Sequence, residues 1–129
     1  MQTFKPKIMV VDDEPEARMG LAHSLRAKGY EVLEAATGKE VFNRAKTEWP
    51  SLIILDVLLP DVPGTEVFEQ LRVDPITKAI PVLLLTGKPE VVEKIPALQE
   101  KTSKHRTFEK PGRVEDLLKV VHEMLTGKK

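Results

Sequence analysis

The chain has 129 residues, 41% hydrophobic and 31% charged, the size of one ordinary domain with enough apolar material for a core. That excludes two independent cores and wholesale disorder. Lys and Arg total 20, as do Asp and Glu, so no overall basic field draws the chain onto nucleic acid or an anionic membrane. There is no cysteine, which excludes disulfides, thiolate metal sites and a cysteine nucleophile, and makes a reducing cytoplasm the expected location.

The opening MQTFKPKIMVVDDE has no basic segment leading into a long apolar run, and no stretch approaches the ~18 apolar residues of a bilayer crossing. Secretion by such a signal and membrane insertion are therefore not expected. Lys7 to Val11 reads as a buried strand opening into Asp12-Asp13-Glu14. Pro15 suits the first turn of a helix, along which Ala17, Leu21, Ala22 and Leu25 recur at helical spacing until Lys28-Gly29 stops it. Tyr30 to Ala35 alternates in part, as an edge strand would. Thr37-Gly38-Lys39 starts a second helix carrying Val41, Phe42, Ala45 and Trp49 toward the core, closed by Pro50.

Leu52 to Leu55 is continuously apolar and ends in Asp56, the pattern of a central parallel strand. After the Pro60–Gly64 turn, Thr65 can cap a helix with Val67, Phe68 and Leu71 inward, ending before Asp74-Pro75. Val82 to Leu85 is a fourth apolar strand leading to Thr86-Gly87. Between Lys88 and Arg106, Pro89 and Pro96 bracket an irregular helix. Thr107 to Lys110 is a brief fifth strand, and Val114, Leu117, Leu118, Val121 and Leu125 define a final amphipathic helix.

Alternating strands and helices around all-apolar strands predict a parallel sheet covered on both faces, with strand order 2-1-3-4-5. Ligands of such sheets bind beyond the carboxyl ends of the strands where the order reverses, here between the first and third strands. Asp12, Asp13 and Asp56 fall there. Clustered carboxylates repel unless a cation lies among them, and oxygen-only ligation suits Mg²⁺. Thr86 and Lys110 add a hydroxyl and an ammonium to the same rim, a set able to neutralise a transferring phosphoryl group with Asp56 as nucleophile.

Through VVDDE, ILDVLLPDVPG, IPVLLLTG and FEKP, residues 7–125 resemble the CheY-like receiver domains of two-component response regulators. The ordered set carries the likeness. The family is itself one from which the flavodoxin-like order is known, so that order is not an independent sign of membership. The resemblance implies a flavodoxin-like (βα)5 fold as a single domain over 1–129, with no output domain. It implies that Asp56 accepts phosphate from a histidine kinase or phosphotransfer protein. Mg²⁺ would be held by Asp12, Asp13, Asp56 and the backbone carbonyl of Leu58. Thr86 and Lys110 would contact the phosphoryl oxygens, and Lys110-Pro111 would be cis. Such a protein is not an enzyme beyond slow self-catalysed phosphorylation and dephosphorylation. It would signal to an unknown protein through the fourth helix, fifth strand and fifth helix, without nucleic acid or membrane insertion.

Two departures stand out. The position three before Lys110, aromatic in the family's switch, is Thr107, while Phe108 lies one residue on and points to the opposite face. The Gly-Ala turn before the fifth strand is replaced by Thr102-Ser103-Lys104-His105. Leu58 and Lys88 occupy the positions that tune phosphoryl lifetime, and an apolar Leu58 cannot orient an attacking water, so slow self-dephosphorylation is expected. The alternative is a pseudo-receiver or scaffold unregulated by phosphate. A Mg²⁺-dependent phosphohydrolase would want a second Asp where Leu58 stands. His23, His105 and His122 have no companion at metal-ligand spacing and read as surface or packing residues. Lys101, Lys104, Arg106, Lys110 and Arg113 form a basic run that reads as a solvated loop.

Overall fold

The computed structural model describes residues 5–99 and 104–127. Three apolar runs become the middle of the sheet: β1 (Lys7–Val11), β3 (Leu52–Asp56) and β4 (Val82–Thr86), with β3 and β4 buried along their whole length. The more polar β2 (Glu31–Ala35) and β5 (His105–Glu109) take the edges. All pairings are parallel in the order β2-β1-β3-β4-β5, as the sequence predicts.

Alternate side chains divide the core in two. Met9, Val11, Ile53, Leu55, Val82 and Leu84 face α2 (Val41–Glu48), α3 (Gly64–Val73) and α4 (Pro89–Val92), which contribute Val41, Ala45, Val67, Phe68, Leu71 and Val92. Ile8, Val10, Leu52, Ile54, Leu83 and Leu85 face α1 (Pro15–Ala27) and α5 (Val114–Thr126), which contribute Leu25, Leu117 and Val121. Covering both faces is what allows strands with no polar alternation.

The structure corrects several local expectations. Trp49 is 72% exposed: α2 stops at Glu48, Pro50 forbids continuation, and Trp49 closes the helix in the left-handed region at φ 49° with its N–H donating to Ala45 O. Phe42 is half-buried, with the Lys46 ammonium 5.1 Å from its ring centre. Ala17 is exposed on α1. Helix α2 starts at Val41, because the Glu40 carboxylate accepts from the Ala36 and Thr37 N–H groups and the Thr37 hydroxyl and holds a turn there. Pro63, not Thr65, precedes α3. Gly64 opens that helix because a Cβ there would meet the Asp56 carbonyl oxygen at 2.3 Å.

The irregular stretch resolves into the single-turn α4 and a 3₁₀ turn at Pro96–Leu98; Lys101, Thr102 and Ser103 lie outside the described residues. Strand β5 starts at His105, two residues earlier than expected, and ends before Lys110. The Lys110-Pro111 peptide is cis. Phe108 packs with the α1/α5 core while the Thr107 hydroxyl donates to Glu93 Oε2 at 3.0 Å, beside α4, so the two side chains do take opposite faces.

Candidate functional site

The sheet ends at a cleft of about 590 Å³ at the reversal of strand order, lined by Asp12, Asp13, Asp56, Leu58 and Lys110 together with residues of α1 and α5. Each side chain arrives from a strand tip. Asp56 closes β3 and is 4% exposed. Its Oδ1 accepts from the Leu58 N–H at 2.9 Å and its Oδ2 from the Lys110 ammonium at 2.7 Å. The pair joins a buried carboxylate to a half-exposed lysine, so the charge is compensated without being shut off from the cleft.

Asp12 follows β1. Its N–H continues the ladder by donating to Ala35 O at 3.1 Å, and its Oδ1 accepts from the Glu14 N–H at 3.0 Å, opening α1. Its carboxyl pKa is raised, first by burial and then by the neighbouring charges of Asp56 and Asp13, against the lowering effect of the Glu14 bond and Lys110. Asp13 is exposed at the rim. Among the described residues no three acid or histidine side chains are gathered closely enough to hold a metal ion as they stand. The chemistry nevertheless fits one: the donors are all oxygen, and the Asp12 carboxylate, disfavoured first by burial and then by the charges of Asp56 and Asp13, is one that a cation would stabilise.

Thr86, 6% exposed at the end of β4, is not part of the cleft lining. Its hydroxyl accepts from the Lys88 N–H at 3.0 Å, and its carbonyl accepts from the Lys110 N–H at 2.9 Å, tying the β4 tip to the lysine. Leu58 is 78% exposed at the mouth.

Sequence reasoning missed the supports. Arg18 donates to the Asp12 carbonyl at 2.9 Å. Asp61 accepts from the Gly38 and Lys39 N–H groups at 3.0 and 2.9 Å, joining the loops after β2 and β3. Glu93 bridges His105 and Thr107. Charged residues on helices and loops carry no periodic signal, so only Arg18, one turn into α1 after the acids, had any spacing to suggest it.

With the strand order and the cleft at its reversal both in view, the class is that of flavodoxin-like doubly wound α/β domains with a ligand cleft at the switch point. Residues 8–122 match the response regulator receiver domain, and the chain belongs to that family. It is 43% identical over 93 residues to the alkaline phosphatase synthesis transcriptional regulatory protein PhoP of Bacillus subtilis, covering 72% of this chain and 38% of that protein. It thus spans about two fifths of that relative's length. Protein PilH of Pseudomonas aeruginosa is 31% identical over 121 residues, 94% of this chain and 98% of PilH. The chemotaxis response regulator CheY4 of Vibrio cholerae superposes with a TM-score of 0.83 at 31% identity, covering 94% of this chain and 99% of that one. The chain is accordingly a receiver domain of the two-component signalling type. Domains of this family are not classical enzymes; their own chemistry is slow self-phosphorylation and self-dephosphorylation.

Proposed function

We propose that Asp56 is the phosphoryl acceptor, with Lys110 and Thr86 completing the site. The observation that carries this is a buried carboxylate at the switch-point cleft held by a lysine at 2.7 Å. An Asp56 oxygen attacks phosphorus, the P–N bond of a phosphohistidine donor breaks, and the electron pair leaves with the imidazole, which takes up a proton. The Lys110 ammonium moves from carboxylate to phosphoryl oxygen. The Thr86 hydroxyl, accepting from the Lys88 N–H, keeps its hydrogen for another.

Mg²⁺ belongs to the same reading, with Asp12, Asp13, Asp56 and the Leu58 carbonyl as its ligands; it supplies positive charge that offsets the gathered carboxylates and phosphoryl oxygens. A histidine kinase or phosphotransfer protein is the donor such a domain takes. The receiving protein reads α4, β5 and α5. A cytoplasmic location completes the proposal, supported by the cysteine-free composition; among the described residues no helix is long and apolar enough to cross a membrane. A second reading, an interaction module indifferent to phosphate, draws on Thr107, whose hydroxyl is tied to Glu93 where the family's switch uses an aromatic ring.

Intact-protein mass spectrometry with a small phosphodonor, and Mg²⁺-dependent beryllofluoride binding, separate the two. An adduct on the wild type that is lost in Asp56→Ala is the expected result. Equal behaviour of both proteins overturns the assignment and favours the interaction module.

A further inference from the structure

The Asp12 carbonyl lies past the end of β1, where its N–H still reaches Ala35 O but, among the described residues, no strand donates to its oxygen. Arg18 supplies that donor through Nη1 at 2.9 Å. The same guanidinium donates through Nε to Glu34 Oε1 on β2 at 3.2 Å, and the other Glu34 oxygen accepts from Arg26 at 3.4 Å. The Arg18 side chain is only 16% exposed. A planar fork is thus fixed between β2 and the acidic loop, and a point-charge ammonium could not reproduce both bonds.

We propose that Arg18, oriented by Glu34, is a positioning residue that holds the Asp12 carboxylate toward the cleft for a divalent cation, an inference that rests on the metal reading above. The carboxylates of Asp12, Asp13 and Asp56 line one cleft, and like charges gathered there favour moving apart. Fixing the Asp12 backbone at both its N–H and its carbonyl opposes that movement. Removing a positive charge beside an anionic cleft strengthens binding of a dication by Coulomb's law, whereas losing the orientation of a ligand weakens it, typically about tenfold or more for outer partners of metal ligands.

The test is a Mg²⁺ titration of the intact chain followed by amide NMR shifts, with thermal unfolding measured in the absence of metal. Arg18→Gln is expected to weaken Mg²⁺ binding about tenfold. Arg18→Lys, which keeps the charge but loses the fork, is expected to weaken it less, and Glu34→Gln to weaken it severalfold. Affinity unchanged or tighter in Arg18→Gln overturns the proposal, as does an Arg18→Lys protein equal to wild type. Should Arg18→Gln fail to fold, Arg18→Lys and Glu34→Gln decide. If wild type and Asp12→Ala respond to Mg²⁺ alike, the metal reading itself falls and the inference with it; a wild type that binds while the Arg18 and Glu34 variants match it sinks the inference alone.

Discussion

Leu58 is exposed at the mouth of the cleft, two residues beyond the buried Asp56, and offers no side-chain polar atom to water approaching an acyl phosphate there. Substituting Leu58→Asn gives that water a hydrogen-bonding guide, and the phosphoryl half-life, followed by loss of radiolabel or of the mass adduct, is expected to shorten severalfold. Asp12 carries a different consequence. Its folded pKa is raised above the ordinary 3.8, so the folded state binds the proton more tightly than the unfolded chain. That contribution is fully present below the unfolded pKa and is lost as pH rises through the folded one. Without divalent ions, Asp12→Asn is therefore expected to be more stable than wild type at neutral pH, the gap closing as pH falls toward 3.8. Urea denaturation across that range measures it, and the amide keeps an oxygen for the Glu14 N–H.

At the scale of elements, α3 shows how burial and site are linked. Phe68 is fully buried between α3 and the sheet, edge-on to His105 at 5.7 Å and covered by the Arg72 guanidinium at 4.4 Å. Phe68→Ala is expected to cost ~3–5 kcal/mol, read by chemical denaturation. The strands were legible because β1, β3 and β4 are covered on both sides and so are apolar along most of their length, and the acids that follow β1 and end β3 break those runs visibly. Strand tips then place Asp12 and Asp56 by topology alone. Other features had no such signature. Trp49 falls on the helical spacing of Val41 and Ala45, but spacing does not reveal that α2 ends one residue earlier. Ala17 follows the α1 period yet overhangs the cleft. The start of β5 was hidden because His105 and Arg106 are polar at an exposed edge, where pairing with Val82 and Leu83 decides the strand. Supports such as Arg18 depend on neighbours brought from another strand, which local pattern does not contain.

Across the whole molecule the two ends of the sheet have different tasks. The carboxyl ends hold the acids, lysine and cis peptide; the amino ends hold the returns from the helices, including the αL closure of α2 just before β3. Two separate apolar layers, one on each face, keep these ends apart. Trp49, the sole tryptophan, belongs to the amino end and lies largely in solvent. Its indole emission in the native state is therefore close to that of the unfolded chain and blind to chemistry at the opposite end, so optical studies of this receiver need circular dichroism or an introduced chromophore near the cleft.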